Sequence, residues 1–172
     1  MTLELLAPPA EPKDSAWLDA ALAYARRGWS VMPVAPRSKE PNHNLIRRAY
    51  LDATTDEYRI MEWFYRDPIA NLGISCIASN LVVIDIDFRS GGALNEFFPD
   101  TYTVKTGDGL HLYYKAHPSM RFPGTLWQGV DVKHRGYVVA APSQHPNGQH
   151  YTVIDDREPV AVPMNFVKRE SR

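Results

Sequence analysis

The sequence predicts an α+β fold, with helices confined mainly to the first half and a mostly antiparallel sheet in the second. Two observations carry this. The clear helical repeats both end before residue 67, whereas the later apolar runs have strand length. Strands therefore outnumber helices and do not alternate with them as βαβ units would require.

Residues 1–13 are rich in proline and alanine and are expected to be a flexible leader. Asp14 or Ser15 is placed to cap a helix bearing Trp17, Leu18, Ala21, Leu22 and Ala25, with Gly28 as its stop. Trp29–Val34 follows as a strand, and Pro33 puts it near a sheet edge or end. Residues 35–54 form a long polar connection of the kind that often carries function. Thr54 or Thr55 is the expected cap of a second helix to Arg66, with Ile60, Met61, Phe64 and Tyr65 as its apolar face. Ala70–Ile77 and Leu81–Phe88 are apolar runs around Ser79-Asn80, which predicts a hairpin. Ser90–Phe98 is a short helix candidate. Thr101–Lys105, Leu110–Lys115, Val130–Lys133, Tyr137–Ala141 and Tyr151–Ile154 complete the strands. The expected organisation is one domain over 14–160 and a tail over 161–172, with no internal repeat.

A chain of 172 residues, 44% hydrophobic and 23% charged, is large enough for a real core. Cys76 is the single cysteine, so neither an internal disulfide nor a thiolate-rich zinc site is available. No stretch is apolar enough to span a bilayer, and Met1–Glu11 lacks a basic n-region, so a cytoplasmic location is expected. The formal net charge of −1 argues against a protein that holds nucleic acid by overall charge. Basic clusters remain at Arg26-Arg27, Arg47-Arg48, Lys133-His134-Arg135 and the tail Lys168-Arg169 with Arg172. For the first and last, a solvated surface is the simpler account.

Three segments carry chemistry. In Leu81-Val-Val-Ile-Asp85-Ile-Asp87, strand alternation puts both aspartates on one face of a run that otherwise reads as buried. Two such carboxylates repel, and a hard divalent cation relieves them, although an Asp-x-Asp alone fits a strand-end cap equally well. In Lys105-Thr106-Gly107-Asp108-Gly109-Leu-His111, the glycine turn offers backbone amides to an anion, and His111 shares a face with Tyr113 and Lys115. In Gly129-Val-Asp131-Val-Lys133, a third strand carboxylate stands beside a cation; taken singly it is an ordinary surface pair. Together, three acids, nearby cations and a glycine turn match what phosphoryl or nucleotidyl transfer needs.

In that order these segments resemble the bifunctional primase–polymerase domain of the archaeo-eukaryotic primase superfamily, found in phage and plasmid replication proteins. The resemblance covers about Ala20 to Ile154. It includes Gly28-Trp-Ser-Val-Met-Pro33 with Lys39 and Pro41, Asp52-Ala-Thr-Thr-Asp56 with Trp63, and Ala70-Asn-Leu-Gly-Ile74. The most distinctive part is Gly129–Lys133 followed by Gly136-Tyr-Val-Val-Ala-Ala-Pro-Ser143. It implies an α/β unit packed against an RRM-like antiparallel sheet, with the active site in the cleft between them. It implies a DNA primase or DNA polymerase that uses a DNA template or primer with dNTP or NTP, with two Mg2+ or Mn2+ ions held by Asp85, Asp87 and Asp131. His111 would contact the nucleotide phosphates, with Lys39, Thr106, Gly107, Gly109 and Lys133 as further nucleotide-binding positions. A helicase region or partner is also implied. Gly109 departs from the family pattern, which often has serine there, and Lys133-His134-Arg135 stands where Arg-Gly is common.

Two rival readings remain. A rolling-circle initiator nuclease would need a second histidine at the spacing where Tyr113 stands in His111-Leu-Tyr113. A non-catalytic RRM-like module would use Tyr113, Tyr114 and Tyr137 as base-stacking aromatics and would leave the three aspartates unexplained.

Overall fold

The computed structural model describes residues 16–169; the leader and the expected caps at Asp14 and Ser15 lie outside them. Helix α1 spans Ala16–Arg26 and is followed by Gly28 at φ +86°, a backbone region that favours glycine. Helix α2 spans Glu57–Arg66, and its cap is the Asp56 side chain, which accepts from the Tyr58 amide at 3.0 Å. Thr54 is not the cap, because its backbone pairs with Val31 along the sheet edge. The α2 face toward the core is Ile60, Trp63 and Phe64. Tyr65 is 66% exposed, contrary to expectation, since five residues of helical advance from Ile60 turn it away from the core.

Two antiparallel sheets form the body of the molecule. The smaller contains β1 (Val31–Val34), β2 (Asn71–Ser75) and β8 (Tyr137–Val139), in the order β1-β2-β8. The larger runs β6-β7-β3-β5-β4-β9. Its strands are β3 (Leu81–Asp87), β4 (Tyr102–Lys105), β5 (Gly109–Lys115), β6 (Thr125–Trp127), β7 (Val130–Lys133) and β9 (Thr152–Asp155). Pro33 lies on the edge strand β1, where its missing N–H costs no central ladder bond. The connection after β1 covers that edge through Pro41 and Thr54, so its backbone groups are not left open.

Three expectations are corrected. The runs around Ser79-Asn80 do not form a hairpin: β2 and β3 belong to different sheets, joined by a 3-10 turn over Ile77–Ser79 with Asn80 at φ 54°. Each run has sheet neighbours on both sides, β2 between β1 and β8, β3 between β7 and β5. Ser90–Phe98 is not helical. Gly91 and Gly92 weaken a helix there, and the Asp87 carboxylate fixes a turn by accepting from the Arg89 amide at 2.9 Å. Strand β6, three residues long, has no counterpart in the expectations, because so short a run shows no period.

Two apolar clusters lie on opposite faces of the larger sheet. Leu81, Val83 and Tyr113 face the helices and the smaller sheet, whereas Val82, Ile84, Ile86, Leu112 and Tyr114 face the other side. Val162 and Phe166, from the segment after 160, are buried in that second cluster. The first cluster is keyed by Trp29, which stacks on Tyr24 at 5.6 Å and Tyr113 at 5.5 Å and meets the Tyr102 edge at 5.2 Å. Among the described residues no helix is long and apolar enough to cross a membrane.

Candidate active site

The helix-facing side of β3 changes character along its length. Leu81 and Val83 are buried against the smaller sheet, but two and four residues further on the same face carries Asp85 and Asp87. The sheets therefore touch at one end of β3 and part at the other, and the carboxylates stand where they part. Register does the rest. Asp85 lies opposite His111 on β5 and opposite Asp131 on β7. Residues far apart in the chain thus become direct neighbours across three strands.

Asp85 is 31% exposed, and its one ion-pair partner among the described residues is His111, with Nε2 at 3.6 Å. Asp131 accepts from the Thr125 hydroxyl at 2.9 Å and has Lys133 Nζ at 3.7 Å. Asp87 is spent differently. It accepts from the Ser90 hydroxyl at 2.9 Å and from the Arg89 amide, and the Ser90 bond leads the effects that hold its carboxyl below the usual range. His111 is buried, its Nδ1 has no partner among the described residues, and burial lowers its pKa against the opposing pull of Asp85.

Cations ring this acidic centre. Lys39 and Arg89 border the same cleft as Asp85, Asp87 and His111, and Lys133 borders it from the β7 side. Lys39 is held there by its backbone, since its carbonyl accepts from the Tyr137 hydroxyl at 2.7 Å. The loop before it is tied by Asn71, whose side chain donates to the Ser38 carbonyl at 3.2 Å and to the Gln144 carbonyl at 2.8 Å.

The glycine turn before β5 is packed closely. The Thr106 hydroxyl accepts from the Asp108 amide at 3.3 Å, and the Gly107 carbonyl accepts from Asn147 at 3.2 Å. A Cβ at Gly107 would lie 2.4 Å from the His145 ring. Gly109 is paired with Asp87 in the ladder, and a Cβ there would sit 1.7 Å from the Ile86 carbonyl oxygen. The turn thus presses against β3 and against His145.

The donor set suits a hard divalent ion. Asp85 and Asp131 offer adjacent carboxylates, and Asp85 accepts no hydrogen bond among the described residues that would use its oxygens. As the side chains stand, no three His, Cys, Asp or Glu groups among the described residues close on one point. Asp87 is the reason on its side: Ser90 and the Arg89 amide occupy its oxygens.

Of the residues singled out from sequence, Asp85, Asp87, His111, Lys39, Thr106 and Lys133 line the cleft, and Asp131 stands beside it as the cross-strand neighbour of Asp85. Sequence reasoning missed Arg89, Asp108, His145 and Tyr151, which also line it. Tyr151 lies between the two histidines, 5.9 Å from His111 and 5.7 Å from His145 by ring centroids. Arg89 was legible as the cation just beyond the paired aspartates; His145 had no local signal, since only the packing of its turn against Gly107 brings it in. Of the three aromatics expected for a non-catalytic RRM-like module, Tyr113 and Tyr114 are both 0% exposed, and Tyr137 is half-buried.

A family model described as the N-terminal domain of bifunctional DNA primase/polymerase matches residues 21–165. No curated protein matches the chain.

Proposed function

The chain belongs to the bifunctional DNA primase/polymerase family, and from that premise we propose that it adds nucleotides to DNA under the direction of a template. The observation that carries this reading is Asp85 flanked in register by Asp131 and His111, at the end of β3 where the two sheets part. Asp85 and Asp131, joined by Asp87 once it releases Ser90, would hold Mg2+ or Mn2+, two ions in all. Such ions supply charge stabilisation to the attacking and leaving oxygens.

The chain's own residues do the positioning. His111, Lys39, Lys133 and Arg89 face the triphosphate from different sides of the cleft, and the turn from Thr106 through Gly107 to Gly109 shapes its floor. A primer 3′-hydroxyl, or that of a first nucleotide, attacks the α-phosphate, and pyrophosphate leaves with its charge met by those cations. DNA and dNTP or NTP are the substrates. The setting we assign is phage or plasmid replication in the cytoplasm, beside a helicase region or partner.

The test is a gel assay with labelled nucleotide, primed and unprimed templates, and each metal in turn. Asp85→Ala is expected to lower incorporation by at least about 100-fold, with an unchanged circular-dichroism spectrum. Wild-type rates in that variant would remove the assignment.

A further inference from the structure

A second cleft opens on the far side of Lys133. It has a volume of about 510 Å3 and lies between the chain after β5, the β7–β8 turn and the segment that follows 160. Four cations border it: Arg121, Lys133, Arg135 and Lys168. They come from three separate stretches of a chain whose net charge is −1, so their convergence is a product of folding and not of composition. The Lys168 amide donates to the Arg121 carbonyl at 2.8 Å, which fixes two of these stretches side by side. Among the described residues, Arg121, Arg135 and Lys168 make no ion pair; only Lys133 does, with Asp131.

The wall of the cleft carries an unanswered polar atom. His134 is 6% exposed, and its Nδ1 faces the Leu81 carbonyl at 3.0 Å. A carbonyl only accepts, so Nδ1 carries the proton, and in the neutral ring Nε2 is left as an acceptor. Nε2 is buried and has no partner among the described residues. Beside it are aromatic faces: Phe122 meets the His134 ring edge-on at 4.8 Å, and Tyr137 borders the cleft as well.

Lys133 and Tyr137 line both this cleft and the one around Asp85, so the two adjoin across these side chains. A ligand filling both is a polymer with repeated negative charge, planar aromatic groups and N–H donors. That is the chemistry of a single strand of nucleic acid, bound by backbone charge and stacking. Resting on the function proposed above, we infer that this cleft receives the single-stranded DNA template, with phosphates on Arg121, Arg135 and Lys168 and a base edge toward His134 Nε2.

The experiment uses the full chain and a triple variant, R121S/R135S/K168S, all at exposed positions outside the catalytic cleft. Fluorescence anisotropy with a labelled oligodeoxythymidine is read across a salt series. Affinity is expected to fall by about tenfold or more, and the slope of log affinity against log salt to shrink by about 2–3. In primer extension, the KM for template rises while the KM for nucleotide and the kcat at saturating template hold. Photo-crosslinking of a 4-thiothymidine oligonucleotide to the wild-type chain, with peptide mapping, is expected to label the peptides holding Phe122 or His134. Unchanged affinity and slope in a folded variant, or crosslinks elsewhere, would overturn the assignment, as would a duplex bound here more tightly than the single strand. The two proposals fail separately. A triple variant that extends primers with the wild-type KM for template sinks only the template cleft. One that binds the oligonucleotide here but incorporates nothing supports the cleft and sinks the polymerase.

Discussion

Gly109 shows how one residue sets the shape of the site. It stands opposite Asp87, and a side chain there meets the Ile86 carbonyl at 1.7 Å, so β3 and β5 hold this spacing only with glycine. The serine that the family pattern often carries at this position has no room in this backbone. Gly109→Ser is expected to destabilise the fold by about 1–3 kcal/mol, seen as a lower thermal midpoint, and to slow nucleotide addition. A variant with the wild-type midpoint would mean that the two strands spread at no cost. Asp85 makes the complementary point. Its half-buried carboxylate follows Val83 on the same strand face and stands opposite Asp131, and no described hydrogen bond uses its oxygens, which leaves them open to a ligand.

At the scale of the element, the long connection after β1 is organised by a buried acid. Asp52 is 8% exposed and accepts from the amides of Arg47 and Arg48, each at 2.9 Å. The Arg48 guanidinium adds a bond at 3.0 Å. These backbone donors, Arg48 first, hold its pKa down to about 2 from 3.8. The folded value is the lower one, so the unfolded chain binds the proton more readily. The stabilisation from this group is therefore complete above about pH 4 and is lost as pH falls through about 2. Asp52→Asn is expected to cost about 1–3 kcal/mol at neutral pH and to flatten the stability-versus-pH curve in that acid window. Urea titrations at several pH values check both; a wild-type acid slope in the variant would show that other carboxylates dominate.

At the scale of the whole molecule, function depends on two sheets held in a fixed relation. The chain passes between them three times, from β2 to β3, from β7 to β8 and from β8 to β9. The first two crossings are bonded to each other, the Cys76 amide to the Gly136 carbonyl at 2.9 Å and His134 to Leu81 at 3.0 Å. Trp29 completes the clamp by touching Tyr24 from α1 and Tyr102 and Tyr113 from the larger sheet. Trp29→Ala is expected to cost about 3–5 kcal/mol while the chain still unfolds in one transition. Far-ultraviolet circular dichroism and tyrosine fluorescence in urea should coincide. Two separated transitions would show that the sheets fold independently.

The sequence by itself determined the strand faces, the second helix and the identity of the acids. Those follow from two-residue and 3.6-residue periods and from carboxylates set in apolar runs, all local properties. It also contained the ordered motifs by which the chain resembles its family. Only the tertiary structure decided which strands are neighbours. β2 and β3 looked like a hairpin because a short turn separates them, but pairing depends on what lies beside each strand, and that comes from distant segments. The same holds for the site. Arg89 and Lys133 sit beside acids in the chain, whereas His145 reaches the cleft only because its turn packs on Gly107, and Arg121, Arg135 and Lys168 meet only after the strands close.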